Sequence, residues 1–241
     1  IMSGKPHWIG GRHVVEEALA AVGRKVIQVL VFEADRQRYA ELVGKPSQGL
    51  AILMRTVIRT SRLHVAAGAL GMTRRALVEA GRYAGERLVL GRPAAVLPEV
   101  RAALGRMEER LRLGQLAFFE LLDRLEAGDP AVEVLIPLLK MKLSEAASTQ
   151  VREAQLILAG NGILRDFSIL PRLSQDALVQ EIWEGTHPVL AGHVEKALSR
   201  PASRKAFEAL AGARAGDLQG QSGLALCQAA YAALTRALAR R

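Results

Sequence analysis

Residues 97–130 read LPEVRAALGRMEERLRLGQLAFFELLDRLEAGDP, and this stretch decides the fold class. Leu97, Val100, Leu104, Met107, Leu111, Phe118, Leu122 and Leu125 recur at spacings that bring them to one face of a helix. Charged residues fill about half of the intervening positions. At 1.5 Å per residue the helix is roughly 40 Å long, so it needs partners along its whole length to bury that face. Gly128 ends it, Asp129 is suited to cap the next helix, and Pro130 to occupy that helix's first turn.

The same pattern extends in both directions. From Gln48 to Leu88, Ala66, Leu70, Thr73, Leu77, Ala80 and Ala84 form a stripe of mostly small residues, which lets a partner helix approach closely. Gly91-Arg92-Pro93 ends that stretch. A third long helix is expected from about Pro130 to Leu158, with shorter ones at 174–182 and 188–199 and a helical tail from 203. Long helices joined by short breaks pack antiparallel. The expected fold is therefore mainly α, an up-and-down four-helix bundle. Residues 1–45 differ, because Lys25–Phe32 (KVIQVLVF) reads as a strand and Val14–Val22 as a short helix. The expected organisation is an abbreviated N-terminal segment with α/β or β character (1–45), a helical bundle (46–199) and a helical C-terminal extension (200–241).

Composition agrees with a helical reading, since half of the residues are hydrophobic but only 4% are aromatic. The net charge of +9, from 33 basic and 24 acidic residues, permits attraction to nucleic acid, anionic lipid or an acidic cofactor and selects none of them. Cys227 is the only cysteine, so no disulfide can form within the chain, and its apolar neighbours predict a buried, inert thiol. No apolar run is long enough for a membrane helix and no secretory signal is visible, so a cytoplasmic location is expected. His7, His13, His64, His187 and His193 show no metal-ligand spacing, and no metal site is expected.

The chemistry-bearing residues lie downstream. Residues 181–187 read EIWEGTH and residues 159–162 read AGNG, with Arg165, Asp166, Arg172 and Asp176 between them. An acid on a short turn after a helix, preceded by a glycine-rich loop, fits a carboxylate aimed into a pocket. A plainer reading stands beside it: Glu184 caps a helix or pairs with Arg172, Gly160 and Gly162 only end a helix, and Arg87 pairs with Glu86 or Glu79.

These pieces fall in order along the chain. Arg62-Leu-His-Val-Ala-Ala-Gly-Ala-Leu-Gly71, Tyr83-Ala-Gly-Glu-Arg87, Gly91-Arg-Pro93, Lys140, Gly160-Asn161-Gly162 and Trp183-Glu184-Gly185-Thr186 are similar to the signatures of the C-terminal part of the acyl-CoA dehydrogenases. The resemblance covers residues from about 32 to 199. It implies α,β-dehydrogenation of an acyl-CoA thioester, with Glu184 as the base that takes the α-proton and FAD as hydride acceptor. Arg87, Gly160, Gly162 and Thr186 then match FAD-contacting positions, with Arg87 reaching the FAD of a neighbouring subunit. Gly4-Lys-Pro-His-Trp8-Ile9 is similar to a β-domain strand whose tryptophan, here Trp8, lies near the flavin. By the same resemblance Arg62, Trp183 and Gly185 would line the acyl-CoA. Some members carry the base on the first bundle helix, where this chain has Ser61, so Glu184 is the one candidate. Leu90, Leu156, Gln175 and Pro188 depart from the family pattern, and each removes a polar or stacking contact. An electron-transfer-flavoprotein-like acceptor and a homo-oligomer, dimer or tetramer, are implied partners.

Two further readings remain at this point. Ile182–Thr186 followed by Val189–Leu198 is similar to the subgroup linked to the DNA alkylation response, where Arg200, Arg204, Lys205, Arg214, Arg236, Arg240 and Arg241 could contact phosphates of DNA. Alternatively the bundle serves only to assemble oligomers. A short competing resemblance, Ile9–Leu19 to the RNA-binding domain of ribose methyltransferases, touches only the N-terminal segment.

Overall fold

The structure is a computed structural model, and it describes residues 57–212, 218 and 220–240. Three long helices form its frame: α1 (Arg59–Glu86), α2 (Pro98–Glu126) and α3 (Val132–Leu158). Four shorter ones follow: α4 (Leu170–Ile182), α5 (His187–Leu198), α6 (Pro201–Ala211) and α7 (Gly223–Ala239). The expected α-helical bundle is observed. Residues 62–241 make one compact unit in which α3 is central, packed against α2, α4, α5 and α6, while α7 closes over α2, α5 and α6. The predicted strand Lys25–Phe32, the Val14–Val22 helix and Trp8 lie outside the described residues.

The centre of the bundle belongs to α3. From Val134 to Leu143 all residues but one are buried, the exception being the half-buried Lys142, as expected for a helix covered on every side. Helix α1 buries Ala66, Thr73, Ala80 and Ala84 as its stripe predicted, while Leu70 and Leu77 pack at the margin of the core. In α2 the buried line is Met107, Leu111, Gly114, Ala117 and Leu121. The predicted face was therefore turned by about one position beyond Leu111, since Phe118, Leu122 and Leu125 are only half-buried. The cause is Gly114, where an added Cβ would lie 3.0 Å from side-chain carbons of both Leu143 and Leu70. Without a side chain here, the Leu143 and Leu70 side chains seat against the α2 backbone, and Phe118, Leu122 and Leu125 lie to the flanks.

Polar groups fix the register. Gln150 is fully buried in α3, and its Nε2 donates to the Met107 carbonyl of α2 (2.9 Å) and more weakly to the Thr73 carbonyl of α1 (3.4 Å). Arg110 donates to Gln150 Oε1 and to Glu153 Oε2 (2.7 Å). Helix α3 begins at Val132 rather than at Pro130. Asp129 Oδ1 instead accepts the backbone N–H of Ala131 (2.8 Å) while its Oδ2 pairs with Arg124 Nη1 (2.6 Å), capping the turn that precedes the helix. Between α1 and α2, two-residue strands β1 (Leu88–Val89) and β2 (Arg92–Pro93) form a hairpin. Its tip, Leu90 and Gly91, has φ of +50° and +76°, the left-handed pair of a tight hairpin turn.

Candidate functional site

The predicted site residues separate into two groups at opposite ends of the bundle. From Lys140 to Leu158 along α3 the rise is about 27 Å, and from Arg62 to Tyr83 along α1 about 31 Å. The first group surrounds the turn joining α4 to α5, and the second surrounds the turn following α3.

At the first end, α4 stops at Ile182 and the chain turns through Glu184 and Gly185, with φ of +59° and +111°. A left-handed conformation at a residue with a side chain is strained and persists only where surrounding contacts hold it. Two buried cations supply such contacts. Arg62 Nε donates to the Glu184 carbonyl (3.0 Å), and Lys140 Nζ donates to the carbonyls of Gly185 (2.8 Å) and Glu181 (3.2 Å). Lys140 is fully buried and Arg62 nearly so. Burial, with the adjacent Arg62 charge, pushes the Lys140 ammonium down to about 8, although the carboxylates of Glu184 and Glu181 favour its charged form. Burial likewise lowers Arg62, opposed by Glu184.

The Glu184 side chain is half-buried beside these cations, and its Oε2 atom is shielded from solvent. The plainer pairing with Arg172 does not occur, because Arg172 faces Asp176 (3.8 Å). His187 Nε2 lies 3.2 Å from Glu181 Oε2. His193 is lowered first by burial, then by the charges of Arg62 and Lys196. Trp183 is 63% exposed, so it forms the open rim of the turn rather than an enclosing wall. Thr186 is the N-cap residue of α5, and its exposed hydroxyl makes no capping hydrogen bond.

At the second end the donors are open to solvent. Tyr83 OH accepts hydrogen bonds from Arg87 Nη1 (3.1 Å) and Asn161 Nδ2 (3.1 Å), and its ring meets Phe167 edge-on at 6.0 Å. Arg87 is therefore tied to no carboxylate named as its alternative: Glu86 pairs with Arg82 and Glu79 with Arg75. Gly160 is exposed with nothing within 4 Å of an added Cβ, which leaves its backbone open to a ligand. Gly162 is different. A Cβ there would lie 2.4 Å from the Gln155 carbonyl oxygen, so glycine is required for the 159–163 turn to fold back onto α3. The donor set at this end, a guanidinium, an amide and exposed backbone, fits an anionic dinucleotide in chemistry.

A groove of about 740 Å³ lies near this end, lined by residues including Arg75, Arg82, Arg165, Phe167, Arg172 and Asp176. It is not lined by Glu184. Sequence reasoning singled out neither Tyr83 as the shared acceptor nor Lys140 as the clamp. The signal for the latter was present as a lone lysine inside the apolar run Val134–Met141. Of the basic residues proposed for DNA, Arg204 pairs with Glu208 (3.0 Å) and Arg200 lies 3.7 Å from Glu133, while Arg214 and Arg241 lie outside the described residues. Cys227 is buried as expected, with its thiol pushed up to about 11 by burial first and by Glu195. Among the described residues no helix is long and apolar enough to cross a membrane.

Residues 47–199 match the acyl-CoA dehydrogenase C-terminal domain. The chain belongs to the acyl-CoA dehydrogenase family. It is 32% identical over 171 residues to the mitochondrial short-chain specific acyl-CoA dehydrogenase of Bos taurus, covering 69% of this chain and 41% of that protein. Caenorhabditis elegans ACDH-11, solved in complex with C11-CoA, superposes with a TM-score of 0.64 at 30% identity, over 71% of this chain and 30% of that one. Butyryl-CoA dehydrogenase from Megasphaera elsdenii gives a TM-score of 0.60 at 27% identity, over 64% and 39% respectively. The chain thus spans well under two thirds of the length of these relatives.

Proposed function

We propose that this chain is the helical C-terminal part of an FAD-dependent acyl-CoA dehydrogenase in which Glu184 removes the α-proton of an acyl-CoA thioester. The observation that carries this reading is the turn itself, a carboxylate on a strained left-handed residue, partly withdrawn from solvent and flanked by two buried cations. Such strain clusters where a side chain must be aimed. The α-proton of a thioester is weakly acidic, so the base must sit within hydrogen-bond reach of it. Glu184 takes that proton as the α C–H bond breaks, and the electron pair forms the α,β double bond. Bound FAD supplies the acceptor for the β-hydride.

Thr186, with its hydroxyl free of capping duty, supports a flavin contact near the base. Arg87, Asn161 and the Gly160 backbone support the grip on the phosphate-bearing part. Because these sets lie some 27 Å apart along α3, they would serve two cofactors in a homo-oligomer, each shared between two copies. Trp8 would lie near the flavin ring, Trp183 and Gly185 would border the substrate, and Arg62 acts through the loop it holds. An electron-transfer-flavoprotein-like acceptor and a cytoplasmic location complete the reading.

The test is to add FAD to purified protein and record the visible flavin band, then repeat with Glu184→Gln. The expected result is a bound flavin in both proteins, with acyl-CoA turnover lost only in the variant, by a factor of about 10² to 10⁴. Protein that stays colourless with added FAD, or a variant with undiminished turnover, contradicts the reading.

A further inference from the structure

We propose that Lys140 is a positioning residue, its fully buried ammonium fixing the left-handed turn that aims the Glu184 carboxylate by holding the carbonyls of Glu181 and Gly185. The inference rests on the reading of Glu184 as the base. It concerns a residue that touches neither the base's carboxylate nor, in this account, substrate or flavin.

The last turn of any helix leaves carbonyls without partners inside the helix. Glu181 is the penultimate residue of α4, and Lys140 reaches across from α3 to satisfy its carbonyl, a cation at the negative end of the helix. The same ammonium takes the Gly185 carbonyl on the far side of Glu184. Arg62, arriving from α1, takes the Glu184 carbonyl between them. Three acceptors within five residues are thus held by two cations from two other helices. Arg62 thus fixes the peptide unit that follows Glu184, and Lys140 fixes the 181–182 and 185–186 units that bracket the turn, which restricts the Cα–Cβ direction of Glu184. Each helix contributing a cation is itself packed into the core, so the aim of the base is referred to the rigid frame of the bundle.

A buried lysine used merely to stabilise the fold would be a poor choice. Removing a charge from water costs stability, and apolar replacements of similar shape are frequently neutral or stabilising. The charged groups that face Lys140 do not reverse this: Arg62 opposes its charge, and Glu181 and Glu184 only partly support it. Among the described residues, His187 lies beside Glu181 and the Arg62 charge acts on His193. The lysine is explained by what its three N–H donors do, and a methionine of similar length cannot do it.

Hydrogen–deuterium exchange of the full chain, with Lys140→Met compared to wild type, separates the two roles. The expected result is exchange on the order of tenfold faster in a peptide spanning 180–188, with α2 and the Gln150 region unchanged and the melting temperature equal or higher. Lys140→Gln, which retains N–H donors, is expected to restore part of the protection. Exchange at 180–188 equal to wild type in Lys140→Met overturns the proposal. So does uniform loosening of all helices, or failure of both variants to fold. In flavin-loaded protein, Lys140→Met is expected to lower kcat while leaving KM unchanged. Because exchange requires no flavin, a chain that loosens at this turn yet takes up no FAD keeps the clamp and discards the dehydrogenase reading. A chain that binds FAD but whose turn ignores position 140 does the reverse.

Discussion

The two ends of the bundle hold their functional candidates by opposite means. At the Glu184 end, buried cations grip backbone carbonyls and the conformation is strained; at the Tyr83 end, exposed side chains meet at one phenol oxygen and little is buried. On the proposed reading, the difference follows from what each end would do. A general base has to be placed to within a fraction of an ångström of a C–H bond, which calls for backbone held from the core. A phosphate-bearing ligand is recognised by charge and several donors, which tolerate some adjustment. On that reading precision is built into the interior and recognition is left at the surface.

The sharpest way to break this contrast is at Gly185, whose φ of +111° is poorly accessible to side-chain-bearing residues. Gly185→Val should displace Glu184 and reduce turnover by about 10²-fold, with a much smaller loss of flavin uptake, because the Arg87, Asn161 and Gly160 contacts of the other copy are untouched. Steady-state kinetics beside flavin titration checks this, and equal losses of both would erase the distinction. Gly162→Ala strikes the other end. Its Cβ meets the Gln155 backbone, which cannot yield as a side chain can, so a loss of about 1–3 kcal/mol is expected by chemical denaturation. Gly160→Ala, with open space around it, should stay within about 0.5 kcal/mol of wild type.

Arg87→Ala should weaken flavin binding by about tenfold with no change in melting temperature, because its guanidinium is exposed and its one bond is to a phenol. The last effect concerns pH. The Lys140 ammonium is held down to about 8 from an ordinary 10.5, so the unfolded chain binds more protons between those values and Lys140 makes stability rise with pH across that window. The stability difference between wild type and Lys140→Met should therefore move in favour of wild type from about pH 8 upward, measured by denaturant midpoints.

Much of this architecture was legible in the sequence because helical periodicity over long segments is a strong signal. The stripe from Ala66 to Ala84 and the breaks at Gly91 and Gly128 carried it. The buried face of α2 was misjudged because hydrophobicity was followed instead of size: Gly114 sits deepest, and a glycine has no apolar weight in a periodic pattern. At the candidate site, Glu184 and Arg87 were legible as motif residues. What they touch was not, since the carbonyls held by Arg62 and Lys140 leave no trace in side-chain identity. Gly160 and Gly162 looked equivalent as letters, yet one faces open space and the other the backbone of Gln155.

Exchange of the α-hydrogen of a bound acyl-CoA with solvent deuterium, followed by mass spectrometry in wild type and in Glu184→Gln, tests the central claim without requiring net oxidation. The account predicts label entering the α-position with wild type and at least 10²-fold more slowly with the variant. Incorporation at the same rate in both proteins would show that another group takes the proton.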